Sequence, residues 1–198
     1  MGLSLDYQDG QTPLSEEEKD GLLIGSIATR GELDEFEQLN IEKAIEWTLT
    51  RKFGKGRVVS EEFVLDLHRK MFEDVWSWAG SFRKSDKNLG VMWMFIGMEL
   101  KKLLDDCSFW IENMAFSEDE IAIQFSHRIV AIHCFPNGNG RHSRLIADVI
   151  ISHLFGNPVF TWNRNSLVKK GEARTSYLTA IKQADKGNIQ PLISFART

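Results

Sequence analysis

Apolar residues recur at helical spacing along most of the chain. From Glu32 onward, Leu33, Phe36, Asn40, Ile41, Ala44 and Ile45, with Thr48 or Trp47, follow a period of 3.6, while Glu35, Glu42 and Glu46 take the other face. This predicts a long helix that ends before Gly54-Lys55-Gly56, which reads as a flexible connection. Ahead of it, Ser15-Glu16-Glu17-Glu18 has the form of a capping box and opens a short helix limited by Gly21 and Gly25. Ser60 caps the next, with Val64, Leu67, Met71 and Val75 inward and His68 among them as a packing residue. A helix over Ile96 to Met114 carries Leu100, Leu103, Cys107, Trp110 and Met114 inward. Ser117 to Glu120 is a second capping box and opens a helix of Ile121, Phe125, Ile129 and Ile132. The stripe of Leu145, Ile146, Val149, Ile150 and Leu154 is stopped by Gly156 and Pro158. Asn163 to Ser166 suits a helix start, residues 172–186 form a further helix, and Leu192, Ile193 and Phe195 a last short one.

One stretch departs from this rhythm. Phe82 to Ser85 and Leu89 to Val91 can form two short strands around the turn residues Asp86-Lys87-Asn88, with an edge open to an extended peptide. Spacing alone also fits an irregular exposed loop. The whole is an all-α bundle with one small hairpin.

Composition narrows the role. At 198 residues, Lys+Arg 24 against Asp+Glu 28 gives a formal net charge of −4, and no basic run supports direct nucleic-acid binding. No apolar run approaches the roughly 20 residues of a membrane span, and the first ten residues lack a signal-peptide pattern. Cys107 and Cys134 lie in apolar runs without metal spacing, and His127, His142 and His153 form no metal pair, so a reduced, cytoplasmic protein is expected.

The chemistry is concentrated in His133-Cys134-Phe135-Pro136-Asn137-Gly138-Asn139-Gly140-Arg141-His142-Ser143-Arg144. A histidine closes an apolar helix, Pro136 breaks the backbone, and a glycine turn opens a new helix near Arg141. Glycines at a helix N-terminus expose N–H groups to an anion, the helix dipole favours negative charge there, and Arg141 and Arg144 share one face. A base beside a phosphate cradle and two guanidinium groups points to phosphate-transfer chemistry.

This run resembles the signature of Fic-domain proteins, His-x-Phe-x-[Asp/Glu]-Gly-Asn-Gly-Arg-x-x-Arg, at every fixed position except the acidic one, where Asn137 stands. Trp76-Ser77-Trp78-Ala79-Gly80 resembles the Trp-Ala-Gly tract ahead of the flap in the same family. The resemblance covers about residues 57–196 and divides the chain into an N-terminal helical extension, 1–56, and a Fic domain, 57–198. Within the first third, Asp9-Gly10-Gln11-Thr12-Pro13-Leu14, Thr29 to Leu33 and Glu37 to Ile41 resemble the subgroup called mobile mystery protein B. A helix-turn-helix protein encoded nearby is then an expected partner.

The resemblance implies a Fic-type helical bundle whose β-hairpin flap, residues 82–91, holds a target segment. It implies transfer of AMP from ATP, with Mg2+ or Mn2+, to a Ser, Thr or Tyr hydroxyl of a target protein. His133 would be the general base, Gly138, Asn139 and Gly140 the anion hole, Arg141 and Arg144 the partners of the β- and γ-phosphates, and position 137 the metal ligand. Asn137 lacks the charge that a carboxylate brings to a hard cation. Transfer of another phosphate-containing group, such as UMP or a phosphoryl group, and a non-catalytic nucleotide- or partner-binding module therefore remain open. Many family members also carry an inhibitory helix whose glutamate pairs with the second motif arginine. The best register for it here, Ser26-Ile27-Ala28-Thr29-Arg30-Gly31, has arginine where that glutamate belongs.

Overall fold

The computed structural model describes residues 13–163 and 170–198. Its helices are α1 (Glu16–Lys19), α2 (Arg30–Thr50), α3 (Lys55–Val58), α4 (Glu61–Phe72), α5 (Ile96–Asn113), α6 (Glu118–Ile132), α7 (Asn139–Val149), α8 (Lys170–Ala184) and α9 (Gln190–Arg197). A 3-10 turn, Trp93–Phe95, leads into α5, and a π turn, Ile150–Leu154, extends α7. The residues predicted as a helix start after Asn163 lie outside the described part.

Local rules account for the starts. Ser15 and Thr29 each close a reciprocal capping box, with Glu18 and Glu32. Ser60 and Ser117 accept the N–H groups of Phe63 and Glu120. Residues 55–58 form the helix α3, with Arg57 paired to Glu62 and Asp66, where the two flanking glycines suggested a flexible connection. Met114 turns out of α5 as a left-handed cap and is 85% exposed, while Phe36 on α2 is also exposed; both were expected inward.

The core is one continuous cluster. Helix α2 packs on α4 and α4 on α7, and Leu33, Ile41 and Ala44 of α2, Phe63, Val64, Leu67 and Met71 of α4, and Leu145 and Ile146 of α7 are all buried in this cluster. Ile121, Phe125 and Ile129 of α6 fill the space between α5 and α7. The π turn rotates His153 toward α2, where its Nδ1 accepts the Phe53 N–H and its Nε2 donates to the Thr48 carbonyl. Helix α4 and the connection between α6 and α7 therefore sit between the N-terminal helices and the rest of the bundle.

The expected hairpin over residues 82–91 does not form. Among the described residues β pairing is confined to an isolated antiparallel bridge between Leu22 and Trp76. The reason is a side chain. Arg83 is buried, and its guanidinium donates to the carbonyls of Ser85, Val91 and His133, taking the acceptors that a hairpin ladder would use. The backbone N–H groups of Arg83 and Val91 donate to Cys134 and Ile132, so the two arms bind the end of α6 instead of each other. The loop tip is clipped from outside by Lys87, which pairs with Glu18 of α1 and donates to the Pro13 carbonyl. Among the described residues no helix is long and apolar enough to cross a membrane.

Candidate active site

His133 ends α6 in the left-handed conformation, φ 59°, at 7% exposure. That turn swings its side chain away from the helix axis, and a non-glycine residue held there signals a constrained position. Its backbone is fixed from both sides: the N–H donates to Ile129, and the carbonyl accepts Arg83 Nε at 2.7 Å. Nδ1 lies 3.3 Å from the Val130 carbonyl, which selects the tautomer with hydrogen on Nδ1 and puts the basic lone pair on Nε2. Burial lowers the pKa to about 4, with the charges of Arg83 and Lys87 acting in the same direction, so the ring is neutral at pH 7. Gly90 passes directly over it: a Cβ on Gly90 would stand 2.5 Å from the His133 Cβ, and its φ of +101° also excludes a side chain.

The motif loop is held by three groups. Phe135 is buried and stacks on His68, ring centroids 3.6 Å apart. His68 accepts the Gly80 N–H on Nδ1 at 3.0 Å, so Nε2 carries the hydrogen and donates to the Asn137 carbonyl at 3.1 Å. Its pKa is pushed well down, first by burial, and it stays neutral. Asn139 accepts the Phe135 N–H through Oδ1 and donates from Nδ2 to the Phe135 carbonyl. The amide expected in the anion hole thus closes the loop with its side chain. Gly138, φ +79°, packs edge-on to Phe72, and an added Cβ would sit 2.5 Å from that ring.

Gly138, Asn139 and Gly140 bring the chain into α7, whose first turn carries Arg141 and whose second carries Arg144. Arg141 lies over the Phe72 ring at 4.9 Å and pairs with Glu37 Oε2 at 2.6 Å. Arg144 lies over the Tyr177 ring of α8 at 5.5 Å and, among the described residues, meets no carboxylate. Asn137 Oδ1 accepts the N–H of Gly138 and lies 3.5 Å from an Arg141 amino group. It offers an uncharged oxygen already engaged by two donors, and the described residues contain no cluster of three or more His, Cys, Asp or Glu able to hold a metal. These residues do not fit a magnesium cage.

Sequence reasoning gave Glu37 no part in the site, although it interrupts the apolar stripe at an inward position between Leu33 and Asn40. Its Oε1 accepts Trp76 Nε1 at 2.6 Å, so it joins the tryptophan tract to the motif arginine. Arg30 instead pairs with Asp34 at 2.8 Å on its own helix, and Glu32 is spent on the α2 cap. Of the segment Ser26–Gly31, Thr29 caps α2 and Arg30 and Gly31 begin it, with the charge of Arg30 paired on its own helix. His142 donates to the Val64 carbonyl and His127 pairs with Asp185, both packing roles.

An α-helical bundle that presents a left-handed histidine before a glycine-opened, arginine-bearing helix defines a recognisable class. Residues 58–151 match the Fic/DOC family, and this part of the chain is a Fic/DOC domain. Among relatives, the chain is 27% identical over 187 residues to "Probable protein adenylyltransferase y4lH" of Sinorhizobium fredii, covering 87% of this chain and 86% of that protein. It is 24% identical over 163 residues to "Protein adenylyltransferase Fic" of Aedes aegypti, covering 80% of this chain and 31% of that protein. The Nematostella vectensis protein of the same name is 23% identical and 37% covered. The chain thus spans about a third of the length of these two animal relatives. Of solved structures, the BepC protein of Bartonella tribocorum with bound AMPPNP superposes with a TM-score of 0.68 at 18% identity, over 92% of this chain and 97% of that one. An N-terminal Fic domain of Bartonella quintana with bound ADP gives 0.65 at 17%, over 87% and 86%. The fold is the Fic helical fold.

Proposed function

We propose that the protein moves AMP from ATP to a hydroxyl group of a target protein. One observation carries this reading: a buried, neutral His133, with its basic nitrogen selected by Val130, stands directly before the glycine turn that opens the arginine-bearing helix α7. The target oxygen attacks the α-phosphorus while His133 Nε2 takes its proton, and the bond from that phosphorus to the α–β bridging oxygen breaks. Pyrophosphate leaves, with Arg141, Arg144 and the α7 N-terminus accepting its charge. Placing a polyanion beside the ring raises the histidine pKa from its low resting value toward the range of an effective base. Names of relatives as adenylyltransferases, and AMPPNP and ADP in similar structures, support ATP as the donor.

A protein target is supported by the rim of the site. Leu89, Met92, Trp93 and Met94 lie to either side of Gly90 along the chain and are all exposed, an apolar strip suited to a polypeptide surface. Asn137 supports a second reading, nucleotide binding without transfer, because the charged oxygen expected for the metal is missing.

The test is incubation of the full chain with cell lysate and ATP labelled on the α-phosphate, with γ-labelled ATP in parallel. Wild type should label protein from the α-position. His133→Ala should lose at least about 10²-fold in rate, while calorimetry finds its ATP affinity unchanged. Equal labelling by the variant removes His133 from the role of base. ATP binding with no label from either position favours the binding module, and label from the γ-position alone means phosphoryl transfer.

A further inference from the structure

We propose that Glu37 is a positioning residue for the triphosphate site: acting through Arg141, it holds that guanidinium at the mouth of α7 for the β/γ end of the nucleotide. The inference rests on the reading of the α7 N-terminus as the phosphate site. Glu37 is 2% exposed, and its two oxygens have one donor each, Trp76 Nε1 and Arg141. A carboxylate so buried costs several kcal/mol unless paired, and here Arg141 is the cation that pairs with it. The helix that carries it cannot slide. One turn on, Asn40 donates to the Lys70 carbonyl at 3.1 Å and accepts the Asp74 N–H at 2.9 Å, fastening α2 to the end of α4.

Arg141 is the more exposed partner. Its side chain is 29% exposed, its face rests on Phe72, one amino group is directed at Glu37 and the other lies 3.5 Å from Asn137 Oδ1, leaving further N–H donors of the fork for an anion. Two geometric facts distinguish support from blockade. Among the described residues Glu37 touches neither the N–H groups of Gly138 to Gly140 nor Arg144, so it does not occupy the cradle itself. It instead removes the rotamer freedom of a long side chain before the ligand arrives, which raises affinity by lowering the ordering cost.

The sign of one substitution decides between the two. Glu37→Gln keeps the acceptor for Trp76 and removes the charge that holds Arg141. Measured by calorimetry on the full chain, it should weaken ATP binding about tenfold and leave AMP binding unchanged. Arg141→Ala should show the same split, and the double variant should bind ATP no more weakly than Arg141→Ala alone. Glu37→Asp, which keeps the charge on a shorter arm, should fall between wild type and Glu37→Gln, a grading that loss of packing alone would not give. Tighter ATP binding or labelling raised tenfold in Glu37→Gln would mean that the carboxylate blocks the site. Loss of affinity for ATP and AMP alike, or for neither, would reduce Glu37 to a packing role. If Arg141→Ala itself leaves ATP affinity untouched, the phosphate assignment fails and the role of Glu37 falls with it.

Discussion

Asn137 shows how one atom separates this domain from its motif. Its carbonyl oxygen is fixed by His68, and its side-chain oxygen is aimed at Gly138 and Arg141. Asn137→Asp is nearly isosteric and puts a charge at the start of a helix, where the dipole favours it. That carboxylate gains a hard-cation ligand but also attracts Arg141. The expected outcome is a lower Mg2+ concentration for half-maximal labelling at fixed ATP, checked by titrating Mg2+ against labelling rate for both proteins. An unchanged metal dependence would show that position 137 does not meet the ion. The turn that places His133 ahead of Arg141 and Arg144 was legible in the sequence because the motif is contiguous and its turn chemistry is local. Glu37 was not, because its partner Arg141 lies 104 positions away.

At the scale of elements, the same division holds. The starts of α1, α4 and α6 follow from serine caps a few residues from what they cap, and they were readable, whereas the Thr29 cap that begins α2 at Arg30 was not read. The 82–91 segment was not, because a single buried guanidinium replaces the backbone ladder that its turn residues suggested. Arg83→Met strands three carbonyls and should lower stability by about 2–4 kcal/mol, given the worth of charge-assisted hydrogen bonds and the cost of unmet acceptors. Trypsin should then cut at Lys84 and Lys87 at least tenfold faster, with Arg83→Lys intermediate. Unchanged cleavage would show that the loop is ordered by the α1 clip of Glu18 and Lys87 alone.

For the whole molecule, three histidines are buried in neutral form. Burial holds His133 and His142 at about 4, and His68 well below its ordinary value. Between pH 4 and 6.5 the unfolded chain binds these protons and the folded chain does not. Their contribution is thus complete above pH 6.5 and is lost as the pH falls toward 4, on the order of 3 kcal/mol each for His133 and His142. Chemical denaturation at pH 7 and at pH 4.5 measures the slope. His142→Gln, whose amide can still donate to Val64, should flatten it, and an equal slope in the variant would place the acid sensitivity on other groups.

The bridge from Trp76 through Glu37 to Arg141 has a consequence beyond the pocket. Helix α2 carries Glu37 on its inner side and the exposed Phe36 and Leu39 on its outer side. Any body that settles differently on that outer surface in the loaded and empty states exchanges free energy with the nucleotide. Such an exchange is reciprocal: whatever factor the ligand imposes on the outer contact, the contact imposes on the ligand. With the nucleotide at the α7 N-terminus as proposed, helix α2 would be a channel through which the domain is both read and set, and a fragment that starts at Lys55 would be a different thermodynamic system from the full chain.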